Sequence, residues 1–225
     1  MIGEQRALRV PDPGERENLA TFLTRAVRLD PAAVVRLRRR GDRQVSAWVA
    51  TGFEALAVRT ITAELDVDDV TVGADQVLGG LSGLVSAGPI DLGYSMDSAW
   101  RGAVPPFDGF DHVDDVPART LLELAEQGAR LAREHGSEHG PPQSLLEQTV
   151  LTVSGGATEV AVPMRVVFAL TAMDFIPHSG EKADPQSISA TELVRVRGSK
   201  TWLRLDARYG SVARRIGGGI ALMTS

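Results

Sequence analysis

The chain has 225 residues, 43% hydrophobic and 24% charged, with a formal net charge of −5. These are the proportions of a globular protein long enough for one large domain or two smaller ones. It has no cysteine, which excludes disulfides, thiolate metal sites and cysteine nucleophiles. No apolar run approaches the ~20 residues that span a bilayer, and Met1–Arg6 opens no apolar leader, so the expectation is a cytoplasmic chain with no membrane partner.

Leu8-Arg9-Val10 predicts a short edge strand ended by Pro11-Asp12-Pro13. A helix follows from Gly14 to Leu29, with Leu19, Phe22, Leu23 and Val27 on one face. Glu15 and Glu17 in its first turn and Arg25 and Arg28 near its end suit the helix dipole. Three strands are expected next, Ala33–Arg39, Gln44–Ala50 and Leu56–Ala63, forming a meander. Asp66–Asp69 reads as a loop and Gly73–Val85 as a glycine-weakened helix.

Residues 87–116 form a boundary rich in glycine, proline and acid. Tyr94, Met96, Trp100, Phe107 and Phe110 within it favour an ordered connector over a disordered linker. The second half opens with a helix at Pro117–His135, its proline placed where no backbone donor is needed. Ser144–Val153 begins helical and finishes extended, and Glu159–Val162 is a short strand. A further helix spans Pro163–Phe175, a polar loop spans Pro177–Ser189, and a hairpin spans 193–206 before a frayed tail.

The domain expectation is therefore a helix-plus-meander module at 1–86, a connector at 87–116 and a second module at 117–225. The fold class is α+β, with an N-terminal helix on an antiparallel three-stranded meander. The order helix, helix, short strand, helix, hairpin in the second half is that of a winged helix. Its third helix offers only Arg165, Thr171 and Asp174 as polar side chains, too few for reading base edges in a groove, and better suited to docking protein.

Charge is segregated along the chain. Residues 1–63 carry a net +4, 64–115 a net −10, 116–191 a net −4 and 192–225 a net +5. The cations are 22 arginines against Lys182 and Lys200, a bias that GC-rich bacterial coding produces by itself. Their placement is more telling than their number. Both hairpins alternate apolar residues with arginine, and a guanidinium fork grips carboxylates and phosphates in two-pronged fashion. The candidate anion-binding residues are Arg36, Arg38, Arg40, Arg43, Arg195, Arg197, Lys200 and Arg204. Trp48 and Trp202, one in the second strand of each hairpin, are expected to be core anchors.

Two other clusters invite chemistry. His135 and His139 are four apart beside Glu134 and Glu138, a zinc spacing only on an unbroken helix, and Gly136 and Gly140 break it. Asp108–Asp115 gathers carboxylates around His112. It reads as a solvated acidic loop, one able to dock on an arginine hairpin of the same chain or of another. No nucleotide-binding glycine loop and no serine-nucleophile elbow is present, and no cofactor or metal is expected.

The sequence thus favours a non-catalytic binding or regulatory protein. Its partner would be anionic, either nucleic-acid phosphates (a DNA-binding role) or an acidic protein surface. The alternatives are a homo-oligomeric interaction scaffold, such as a homodimer, and an enzyme with its site at the acidic connector.

Overall fold

The computed structural model describes residues 6–82, 88–135, 141–156, 158–180 and 183–217. The chain divides into two compact units, Met1–Gly52 with Ala57–Ala103, and Phe53–Leu56 with Val104–Ser225.

In the first unit, strand β1 (Ala7–Arg9) leads into helix α1 (Pro13–Leu29). Asp12 caps the helix, its carboxylate accepting from the Glu15 N–H at 2.8 Å, and proline takes the first turn. Both features fit the unpaired donors at a helix start. Leu19, Phe22, Leu23 and Ala26 form the buried stripe. Strands β2 (Val34–Arg40), β3 (Gln44–Ala50) and β4 (Leu56–Thr62) follow as a meander. Alternation places Val35 and Leu37 in the core and Arg36, Arg38 and Arg40 on the opposite face.

Short β5 (Glu64–Leu65) pairs with β1, which also pairs with β7 (Ile90–Asp91), giving a small sheet ordered β5-β1-β7. Strand β6 (Asp69–Gly73) pairs antiparallel with β2, so the main sheet of this unit runs β6-β2-β3-β4. The acidic loop expected at Asp66–Asp69 therefore turns directly into an edge strand, and the meander is part of a wider sheet. Helix α2 (Ala74–Ser82) packs against α1. On the open side of β6, Thr71 is bonded at both backbone groups: its N–H donates to Asp97 Oδ1 at 2.8 Å, and its carbonyl accepts from the Met96 N–H at 2.7 Å.

The second unit begins with β8 (Asp111–Pro117), followed by α3 (Ala118–His135), short α4 (Gln143–Glu147), and a hairpin of β9 (Thr149–Gly155) and β10 (Thr158–Pro163). Helix α5 (Met164–Ala172) precedes β11 (Leu193–Gly198), β12 (Trp202–Ala207) and β13 (Gly210–Arg215). The sheet order is β13-β12-β11-β8, antiparallel throughout. Helix α5 packs on α3, where Gly128 allows close approach: a Cβ there would lie 2.5 Å from Met164 Cε and 2.9 Å from Phe168 Cζ.

These elements overturn the winged-helix expectation. Every residue from Met164 to Leu170 is buried, so α5 has no free face to serve as a recognition helix. The segment expected as an acidic loop is β8, and the expected frayed tail contains β13. The hairpin is thus the middle of a four-stranded sheet, not a two-stranded wing. A helix leading into a three-stranded meander occurs in both units, as α1 then β2-β3-β4 and as α5 then β11-β12-β13.

Helix α5 ends with Asp174 in the left-handed region at φ 57°. The Phe175 N–H reaches the Leu170 carbonyl at 3.3 Å and the Asp174 N–H reaches Thr171 at 3.0 Å, the paired bonds of a Schellman ending. Aspartate replaces the usual glycine there, and its carboxylate meets His178 Nε2 at 2.5 Å.

Candidate anion-binding interface

Both arginine hairpins form, and register decides what each guanidinium meets. Across β2 and β6, Arg36 pairs with Thr71 and Arg38 with Asp69. Asp69 takes Arg36 side-on, at 2.7 Å to Nε and 2.8 Å to Nη2, and lies 3.2 Å from Arg38 Nε. That hydrogen bond raises the Arg36 pKa further above its ordinary value, against a smaller opposing effect of burial. The Arg36 guanidinium also sits 5.8 Å from the Trp100 ring centroid, within cation–π range. Arg39 lies 3.3 Å from Asp68. Arg40 and Arg43 are exposed at the hairpin tip.

In the second unit Arg195 lies opposite Asp206 on β12 and opposite Asp115 on β8. Its Nε is 3.3 Å from Asp115 Oδ1. Asp115 also meets His112 Nε2 at 3.0 Å. The His112 hydrogen bond first, and Arg195 with it, hold the Asp115 carboxyl below the usual carboxylate range. The acidic segment thus docks on the arginine hairpin as a paired strand. Of the acids on β8, Asp115 is the one bonded to His112. Arg197 and Arg204 both meet Asp206, at 3.0 and 2.6 Å, and the Arg204 guanidinium is 5.4 Å from the Phe110 ring centroid. Lys200 is exposed in the turn between β11 and β12.

The structure therefore groups Arg36 and Arg38 around Asp69, and Arg197 and Arg204 around Asp206, with Arg195 adjoining. Arg40, Arg43 and Lys200 stand apart at the tips. Trp48 and Trp202 are buried, 3% and 7% exposed, which removes them as stacking platforms. Glycine-flanked His139 and residues 136–140 lie outside the described residues, as does the His135 side chain. Among the described residues no group of three or more histidine, aspartate or glutamate side chains is placed to hold a metal. Among them too, no helix is long and apolar enough to cross a membrane.

One ionic cluster was not foreseen. Arg165, 1% exposed on α5, meets Glu54 Oε2 at 2.7 Å, Glu147 Oε1 at 2.5 Å and the Phe53 carbonyl at 3.3 Å. Arg214 adds a contact to Glu147 at 3.2 Å. The sequence signal was an arginine in an otherwise apolar helix, which implies a buried partner. The glutamates are distant in sequence and carry no local sign of it.

The fold resembles solved DNA polymerase sliding clamps. A Caulobacter crescentus pol III beta structure matches 96% of this chain and 66% of its own, at 14% identity and a TM-score of 0.56. A sliding clamp from Bacillus subtilis matches 96% and 65%, at 11% identity and a TM-score of 0.55. One from Pseudomonas aeruginosa gives the same figures. The chain spans just under two thirds of the length of these clamp chains. The likeness establishes a mixed α+β clamp fold in place of the winged helix. No functionally curated protein matches the sequence. Residues 3–102 match the family described as domain of unknown function DUF8010. Residues 105–219, more than half of the sequence, match a second family, and the chain belongs to it: domain of unknown function DUF8185.

Proposed function

We propose that this chain is a non-catalytic binding scaffold that self-associates and engages an anionic partner, nucleic-acid phosphates, from the cytoplasm. The observation that supports this most is the clamp fold over nearly the whole chain, shared with proteins whose name ties them to DNA and a polymerase. Such a scaffold joins the anion-binding role expected from the sequence to its homo-oligomeric alternative, and leaves out the winged helix and the regulatory role.

The cations proposed to carry binding are Arg36, Arg38, Arg40, Arg43, Arg195, Arg197, Lys200 and Arg204. Asp69, Asp115 and Asp206 offset part of their charge, so affinity is expected to be modest and strongly salt-dependent. A fluorescent duplex titrated at two ionic strengths tests this. Binding that weakens steeply with salt supports the reading, and no binding at low salt removes the nucleic-acid partner. Light scattering over a concentration series tests assembly, and a monomer at every concentration removes the scaffold.

A second reading has its own support. Each paired arginine of these faces already takes a carboxylate, so an acidic protein surface matches the same forks.

A further inference from the structure

Arg197 and Arg204 are directly opposite each other across β11 and β12. Like charges in that position destabilise an antiparallel pair. A single carboxylate, Asp206, serves both, and it also accepts from Ser211 Oγ at 2.5 Å. The cluster keeps one surplus positive charge. Arg204 engages Asp206 through Nε, which leaves its terminal amino groups outside that contact. Arg197 Nε is within ion-pair distance of Asp206 yet has no hydrogen-bond acceptor among the described residues. Phe110 lies against the Arg204 guanidinium, and both arginine side chains keep part of their surface in solvent, 32% and 24%.

The first unit holds a related group of different geometry, two arginines of one strand with Asp69 bound to Arg36 through both Nε and Nη2. Arg36 and Arg38 share Asp69, and Arg36 lies against Trp100. An ordinary surface ion pair needs neither a surplus cation nor a ring to hold it flat. Two guanidiniums, one carboxylate and one aromatic ring make a different device. At Arg204 the carboxylate holds the Nε edge, while the terminal N–H groups can meet a tetrahedral anion.

We propose that the Arg197–Arg204–Asp206 cluster binds phosphodiester groups of a nucleic-acid backbone. This rests on the nucleic-acid reading above and names the groups that would make the contacts. Asp206 then acts as a built-in competitor: it pre-positions the arginines and lowers their affinity for phosphate.

The test uses the full chain, a short DNA oligonucleotide, inorganic phosphate and a peptide of alternating Asp and Glu as probes. Arginine Nε–Hε NMR cross-peaks of Arg197 and Arg204 are expected to move with oligonucleotide and, at higher concentration, with inorganic phosphate. R204Q is expected to weaken oligonucleotide binding about tenfold, the loss of one charged hydrogen-bond donor. D206N keeps an acceptor for Ser211 and Arg204 but removes the competing charge, and is expected to tighten binding several-fold. Melting curves establish that both variants fold. R204Q with unchanged affinity, or D206N with weaker affinity, overturns the proposal. Tighter binding of the acidic peptide than of the oligonucleotide also overturns it. Light scattering keeps the readings apart: an assembly that persists while no probe moves the cross-peaks sinks the phosphate sites and leaves the scaffold standing.

Discussion

Gly155 at the end of β9 lies so close to Val113 of β8 that a Cβ on it would fall 1.8 Å from the Val113 carbonyl oxygen. The obstacle is backbone within a paired strand, so it cannot rotate away. Gly155→Ala is expected to destabilise the protein by about 3 kcal/mol, at the upper end of overpacking penalties. A lower denaturant midpoint with an unchanged m-value checks this.

Gly128 on α3 gives a milder expectation. A Cβ there meets Met164 Cε at 2.5 Å and Sδ at 2.7 Å, the far end of a flexible side chain. Alanine also favours the helix over glycine by about 1 kcal/mol. The same Cβ lies 2.9 Å from Phe168 Cζ, so Gly128→Ala is expected to melt somewhat below the parent and the bulkier Gly128→Val well below both. Thermal melts of the pair settle the order.

The Arg165 cluster has an asymmetric expectation. Removing both anions with E54Q and E147Q strands a guanidinium that is 1% exposed, and stranding a buried charge costs about 3–5 kcal/mol. The glutamates are 66% and 46% exposed, so solvent can reach their side of the cluster and the loss should fall at the low end of that range. R165M removes the buried charge and is expected to cost less than the double variant. Chemical denaturation of the two proteins tests the ranking.

Asp115 links stability to acid. Its folded pKa lies below the unfolded one, chiefly through the His112 hydrogen bond and then through Arg195. The contribution is therefore complete above the unfolded value of about 4 and is lost as pH falls through the folded value. Stability between pH 6 and pH 2.5 is expected to drop less steeply in D115N than in the parent. Identical slopes in parallel urea titrations would show that the carboxylate is not coupled to folding.

What the sequence revealed followed local rules. Helix α1 announced itself through the spacing of Leu19, Phe22 and Leu23 and the charges at its two ends, and the two hairpins through alternation of apolar residues with arginine. Strands β6, β8 and β13 were missed for one physical reason. Asp69–Gly73 and Asp111–Pro117 carry acid that suits a loop, and Gly210–Arg215 is short and follows a turn. Their strand state comes from pairing with β2, β11 and β12, a tertiary influence that overrides local propensity. The winged-helix order failed because apolar α5 was read by its place in sequence, when its uniform burial meant core packing. The arginines of the candidate faces were found. Asp69 as the shared partner of Arg36 and Arg38 was not, because it is 33 residues from Arg36, whereas docking of the acidic segment on an arginine hairpin, met at Asp115 and Arg195, was legible from charge alone.

The open side of β6 has a consequence for how this molecule behaves when crowded. Unpaired strand borders are templates onto which foreign chains add, the route to fibres. Here the outward-facing backbone groups of Thr71 are occupied by Met96 and Asp97 of the same polypeptide. An intruding strand would first have to evict that plug. The protein thus carries its own guard against runaway stacking along this margin, made from two residues with no strand of their own.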